Sequence, residues 1–66
     1  MSIVKVIEVI AQSDKSWDDA AENAVKEASK SVRNIKSLYA KDMQCVIEDG
    51  KIVKYRLAAK ISFILD

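Results

Sequence analysis

Residues 2–12, SIVKVIEVIAQ, are dominated by valine and isoleucine. Side chains branched at Cβ favour a strand over a helix, so this segment predicts the first strand. Both alternating sets of positions are apolar: Ile3, Ile7 and Val9 form one set, and Val4, Val6 and Ile10 form the other. Because successive side chains of a strand point to opposite faces, this strand must be covered on both faces.

In residues 13–34 the apolar positions change to spacings of three and four. This period predicts an amphipathic helix from about Trp17 to Val32. Ser16, followed three residues later by Asp19, resembles a capping box with aspartate in place of glutamate, and Asn34 suits a left-handed stop. The apolar stripe is mostly alanine, which lets the helix lie close to a sheet: Trp17, Ala20, Ala21, Ala24, Val25, Ala28 and Val32.

The four residues EDGK, 48–51, separate two further alternating segments. Asp-Gly is the preferred pair for a two-residue type I′ turn, since both central residues need a positive φ. With Glu48 opposite Lys51, the predicted pairs are Val46–Val53, Met43–Arg56, Ala40–Ala59, Tyr39–Lys60, Leu38–Ile61, Ser37–Ser62, Lys36–Phe63 and Ile35–Ile64. A β-bulge would shift this register.

These elements predict an α+β fold of order β-α-β-β, in which the side of the hairpin that carries Leu38, Leu57 and Ile61 packs on the helix. The helix would be about 24 Å long at about 1.5 Å per residue. Strands of a dozen or more residues extend further at about 3.3 Å per residue. One helix therefore cannot cover them, and strand ends and one sheet face are left for neighbouring copies.

The composition supports the same conclusion, because half of the 66 residues are apolar in a chain that forms one domain, 1–66. A domain this small leaves much of its surface in water, so surplus apolar residues would form exposed patches. Burial of those patches between copies of the chain predicts an oligomer.

The remaining composition excludes several classes of function. The formal net charge of +1 comes from interspersed lysines and acidic residues, which disfavours nucleic-acid binding. The short apolar segments carry charges, so no transmembrane span or charged-then-apolar leader is expected, and a cytoplasmic protein is the default expectation. The absence of histidine and the single Cys45 exclude His-based triads, and no group supplies a base or nucleophile, so we expect no enzyme.

The second face of the hairpin is the main candidate for binding. Its lysines and Arg56, among apolar residues, could hold an anionic, partly flat ligand, although a solvated strand face with the same residues is the simpler interpretation. The residues concerned are Lys41, Lys54, Arg56 and Lys60 with Tyr39, Met43, Ala58 and Ile64.

Other chemistry-bearing residues have simpler explanations. Cys45 is interpreted as an inert strand residue, and Trp17 as a packing anchor at the helix start rather than a stacking surface for a ligand. Asp42, Glu48 and Asp49 could contribute oxygens to a calcium site across an interface, but no EF-hand spacing supports one. No metal ligands are assigned.

Four segments together resemble the dodecin family over nearly the whole chain: KVIEVIAQS, SWDDAAENAVKEASKSVRNI, EDGK and YRLAAKISF. The resemblance implies a three-stranded antiparallel sheet wrapped around one helix, and a hollow homododecamer of such chains. It also implies a non-enzymatic flavin-binding storage or buffering protein.

Three positions depart from the flavin-binding members of that family. Ser37 stands where they have a tryptophan that stacks on the flavin ring, and Arg56 stands where they have a glutamine that bonds the ring edge. Gln44 stands where many have an arginine implicated in holding the phosphate. The loss of an aromatic stack removes about 0.5–1.5 kcal/mol beyond the lost contact area.

Two expectations follow from these departures. The first is a small-ligand binding or storage protein that holds FMN or riboflavin weakly, with Ser37, Gln44 and Arg56 as the candidate site residues. The second is a flavin-free structural or calcium-binding shell, since some relatives of this kind are described as binding calcium.

Overall fold

A computed structural model describes residues 3–65 of the chain. The elements are β1 (Ile3–Ser13), α1 (Trp17–Ala28), β2 (Ile35–Glu48) and β3 (Lys51–Leu65). All strand pairs are antiparallel, and the strand order is β1-β3-β2, so β3 is central. The predicted α+β fold of one helix on a three-stranded sheet is confirmed.

The start of α1 follows the predicted cap in part. The Ser16 side chain accepts a hydrogen bond from the Asp19 backbone N–H at 2.9 Å, as an N-cap serine should. The Asp19 carboxylate does not complete the capping box. It instead accepts a hydrogen bond from the Ser13 hydroxyl at 2.6 Å, which links the end of β1 to the first turn of α1.

The end of α1 lies at Ala28, four residues before the predicted Val32. The Ser29 hydroxyl donates to the carbonyl of Val25 at 2.7 Å, and the backbone N–H groups of Lys30 and Ser31 bond carbonyls three residues back instead of four. Such local bonds of serine compete with helix continuation. Asn34 does adopt the predicted left-handed conformation, with φ of 63°, but it follows this turn and leads directly into β2.

The hairpin turn is the one that the Asp-Gly pair predicts. Asp49 and Gly50 have φ values of 52° and 74°, and Glu48 pairs with Lys51. Positive φ at both central residues is the mark of the type I′ turn.

The predicted register is confirmed for part of the hairpin only. The pairs from Ala40–Ala59 to Ser37–Ser62 are as predicted. Between these pairs and the turn, β3 contains one extra residue, Val53, and β2 contains a compensating extra residue, Lys41. A third extra residue, Lys36, lies near the start of β2. The observed pairs that replace the predicted ones are Val46–Lys54, Met43–Leu57 and Ile35–Phe63.

These bulges have a consequence for the faces of the sheet, because a slip of one residue turns a side chain to the other face. Met43 was predicted opposite Arg56, but it faces Leu57 and so lies on the side of the helix. Gln44 takes the place opposite Arg56.

The core lies between α1 and the face of the sheet that we call the inner face. Ala20 on the helix is fully buried, and the alternate β3 residues Leu57, Ala59, Ile61 and Phe63 are buried beneath it. This is the side of the hairpin that was predicted to pack on the helix. On β1 only one of the two apolar sets is partly covered, since Val4, Val6 and Ile10 are 60%, 49% and 70% exposed.

Candidate functional site

The opposite side of the sheet, turned away from α1, forms the outer face. Along β3 it presents Arg56, Ala58, Lys60 and Ser62, which alternate with the buried inner residues. Their cross-strand neighbours on β1 and β2 complete the face: Val6, Glu8, Ile10, Gln12, Ser37, Tyr39, Asp42 and Gln44. All three candidate residues, Ser37, Gln44 and Arg56, therefore lie on this face.

Ser37 lies directly opposite Ser62, and their hydroxyls hydrogen-bond to each other. The residue that faces Ser62 from the other side is Val6 on β1. This end of the outer face thus offers two hydroxyls on an apolar background. Within the described chain it has no aromatic ring at Ser37 or opposite it.

Arg56 is flanked by residues on both neighbouring strands. It lies opposite Gln12 on β1 and opposite Gln44 on β2. Its Nε and Nη2 atoms both donate to the side-chain oxygen of Gln12, at 3.1 and 2.9 Å. The guanidinium is therefore held in one orientation by a neutral acceptor.

Gln12 contacts the candidate residue Arg56 and was not singled out from the sequence. Its only signal was a polar residue at the end of an apolar strand, and the pairing of β1 with β3 was needed to place it beside Arg56. Gln44 is also fixed from the helix side, because the indole N–H of Trp17 donates to its backbone carbonyl at 3.2 Å.

One chain does not bring all three candidates together. Gln44 and Arg56 are neighbours, but Ser62, the partner of Ser37, lies six residues from Arg56 along β3. That separation is about 20 Å at about 3.3 Å per residue. A single small ligand could contact both Ser37 and Arg56 only if they came from different copies of the chain.

The other cationic candidates are distributed along the outer face. Lys60 faces Tyr39 on β2 and approaches Glu8 on β1, with its ammonium nitrogen 3.8 Å from a carboxylate oxygen. Lys54 faces Val46, near the hairpin end, and Lys41 lies at a bulge. Met43, which was expected among these residues, belongs to the inner face, where it is exposed.

The candidate carboxylates do not form a metal site within one chain. Asp42 faces Ala58 on the outer face, whereas Glu48 and Asp49 lie at the hairpin turn, six and seven residues further along. Among residues 3–65 no group of three or more cysteine and acidic side chains is placed to hold a metal ion. Calcium binding by these residues would need oxygens from several copies.

The remaining candidates have structural surroundings. The Trp17 and Tyr55 rings pack edge to face with centroids 5.0 Å apart, and Trp17 contacts the core, which confirms Trp17 as a packing anchor. Cys45 is partly buried opposite Tyr55 on the inner face. On the helix, a hydrogen bond from Lys30 and the charge of that ammonium lower the pKa of the exposed Glu27 carboxyl.

A concave region lies between α1 and β1, on the inner side of the sheet. It is an apolar groove of about 450 Å³ whose walls include Ile7, Val9, Ala24 and Ala28, with Glu27 and Asn23 at its polar margin. No helix in the described part of the chain is long and apolar enough to cross a membrane.

Comparison with known proteins places these features in a family. The family model described as Dodecin matches residues 3–66, and the chain belongs to the dodecin family. A curated relative, the calcium dodecin of Mycobacterium tuberculosis, is 33% identical over 63 residues, which are 96% of this chain and 89% of the relative.

Solved structures agree with this assignment. The dodecin of Streptomyces coelicolor is 29% identical with a TM-score of 0.94, and the match covers 98% of this chain and 93% of that one. The crystal structure of the calcium dodecin from M. tuberculosis is 30% identical with a TM-score of 0.84, covering 97% and 91% of the two chains. That protein is described as calcium chelating, with a novel calcium-binding site.

Proposed function

We propose that this chain, acting as a single domain over residues 1–66, is one subunit of a cytoplasmic homododecamer that binds or stores a small ligand without catalysis. The observation that carries this proposal is the exposure of apolar residues on the outer face, of which Ile10 is 70% exposed. A single chain cannot cover this face, and copies of the chain packed there would bury it. Small-ligand sites then form between copies.

Flavin, as FMN or riboflavin, is a weak ligand of this site in our proposal. Ser37 has no ring that could stack on a flavin, and its hydroxyl is already bonded to Ser62. Arg56 offers only hydrogen-bond donors, and two of them are used by Gln12. Gln44 lacks the charge that would attract a nucleotide phosphate.

Calcium is the second candidate, and the 33% identity to the M. tuberculosis calcium dodecin favours it. Calcium takes six to eight oxygen ligands, and carboxylates supply them well. Because the described part of one chain does not group its carboxylates, a calcium site here would combine oxygens from neighbouring copies, with Asp42 on the outer face as one contributor.

The experiment that tests the proposal is analysis of what purified protein carries. The visible absorbance spectrum, a mass spectrum of the molecules released on unfolding, and elemental analysis for calcium are recorded on one sample. We expect an organic ligand or a metal at a fixed ratio to subunits, and little flavin absorbance. Stoichiometric flavin would contradict weak flavin binding. Protein that carries nothing and binds neither flavin nor calcium in titrations would contradict the proposed function.

A further inference from the structure

We propose that Arg56, held by Gln12, forms an anion-binding site on the outer face that takes a small carboxylate with an apolar body. This inference rests on the proposed function and names the ligand class of that binding protein.

The first step is the geometry of the guanidinium. This group carries five N–H donors in a fixed plane. The hydrogen on Nε and one on Nη2 point along the same edge of that plane, and both bond the single side-chain oxygen of Gln12. The neighbouring, end-on edge, with one N–H from Nη1 and the second from Nη2, is left to pair with an external group. Two parallel donors of this kind match the two oxygens of a carboxylate.

The positive charge of Arg56 is not neutralised by its hydrogen-bond partner. Gln12 is a neutral acceptor, so its two hydrogen bonds orient Arg56 without neutralising it. In the described chain the ion pairs are Lys30–Glu27 and Lys60–Glu8, and neither involves Arg56. Lys54, two residues from Arg56 on the same face, is exposed and adds positive charge. A positioned cation without a carboxylate partner favours an anionic ligand.

The third step is the surroundings of the guanidinium. Next to the pair of Gln12 and Arg56 lies the pair of Ile10 and Ala58, which gives the outer face an apolar surface beside the cation. An apolar ligand body can contact Ile10 beside the guanidinium, whereas inorganic phosphate has no apolar surface to place against it. The oxygen of the Gln12 side chain bonds Arg56, and the side-chain N–H₂ group of Gln12 is a further donor beside the guanidinium.

Asp42 acts against the anion and so provides a sharp test. It faces Ala58, diagonally from Arg56, at a distance where cross-strand side chains still interact. Its charge repels a bound carboxylate, and replacement by asparagine removes that repulsion while preserving the shape of the side chain.

The experiment is calorimetric titration of the full chain with benzoate, and with benzamide as the neutral analogue of similar shape. We expect benzoate to bind and benzamide to bind at least tenfold more weakly. Arg56→Gln should weaken benzoate binding at least tenfold. Arg56→Lys keeps the charge but loses the two parallel donors, so its affinity for benzoate should lie between those of the wild type and Arg56→Gln. Asp42→Asn should strengthen benzoate binding about twofold or more, and added salt should weaken it.

Equal binding of benzoate and benzamide would overturn the inference. So would unchanged benzoate affinity in an Arg56→Gln variant whose circular dichroism spectrum shows a native fold. Asp42→Asn keeps the test valid if the arginine variants do not fold, since unchanged benzoate affinity in that variant also contradicts the inference. Tighter binding of inorganic phosphate than of benzoate would contradict the ligand class. A protein that fails to bind benzoate but releases a neutral ligand on unfolding would contradict this inference and leave the proposed function standing.

Discussion

Ser37 and Ser62 face each other across β2 and β3, and their hydroxyls hydrogen-bond on the outer face of the sheet. One hydroxyl donates to the other, so the two serines pair without a ligand. The position at which a flavin-binding relative would be expected to offer an aromatic ring is closed by two small polar side chains.

Restoring an aromatic ring at this position should restore flavin affinity. We predict that Ser37→Trp combined with Arg56→Gln raises riboflavin affinity at least tenfold, about 1.4 kcal/mol, through a stacked ring and a ring-edge hydrogen bond. Riboflavin has no phosphate, so Gln44 should have little influence. The two altered positions would meet between different copies of the chain.

Quenching of riboflavin fluorescence measures this affinity. The matched control is Ser37→Ala with Arg56→Gln, which removes the serine hydroxyl but adds no ring, so it should gain only the ring-edge hydrogen bond and bind riboflavin more weakly than the tryptophan variant. Equal affinity of the tryptophan variant and this control, in protein that still assembles, would show that Ser37 does not occupy the flavin position.

The hairpin turn should be sensitive to the backbone conformation of Gly50. A Cβ at this residue would meet no atom within 4 Å, so sterics with neighbours add nothing to the cost of a substitution. With φ at +74°, Gly50→Val should cost about 1–2 kcal/mol of stability, because a β-branched residue resists the left-handed region.

Thermal unfolding provides the comparison for Gly50. Gly50→Asn is the matched control, since asparagine tolerates positive φ far better, and it should lower the melting temperature less than Gly50→Val. A melting temperature of Gly50→Val equal to that of the wild type would contradict the turn assignment.

The junction between β1 and α1 depends on a buried hydroxyl. Ser13 is only 7% exposed, and its O–H donates to the Asp19 carboxylate while its oxygen accepts from the backbone N–H of Lys15 at 2.9 Å. We predict that Ser13→Ala destabilises the fold by about 1–3 kcal/mol, because it removes the hydroxyl that bonds both the partly buried, charged Asp19 carboxylate and the Lys15 backbone N–H. Ser29→Ala removes an exposed hydroxyl bond at the helix end and serves as the control with a smaller effect. Equal unfolding free energies of the two variants in urea would contradict this reasoning.

The sequence was sufficient for those parts of the fold that local chemistry determines. Ser16 caps the helix through its own side chain, and Asp49 with Gly50 adopts the turn that this pair favours. The helix end was misplaced because the bond from Ser29 to Val25 ends α1 before the apolar stripe ends.

Long-range pairing set the limits of the sequence analysis. The extra residues at Val53 and Lys41 compensate each other, so the register is right near Ser37 and shifted by one residue near Arg56. No local signal marks either bulge, because the flanking strands carry apolar residues on both faces. For the same reason Met43 was assigned to the wrong face, whereas Gln12 was missed because the register of β1 against β3 was not predicted. The common location of Ser37 and Arg56 on the outer face could be predicted, but their separation within one chain required the strand pairing.

We propose that the outer face is an interface between copies of the chain, where the ligand site is formed. Light scattering coupled to size exclusion in dilute buffer tests it most directly. We expect a single species of about 89 kDa, twelve times the 7.4 kDa of one chain. A stable monomer of 7.4 kDa, or a dimer, would contradict the claim.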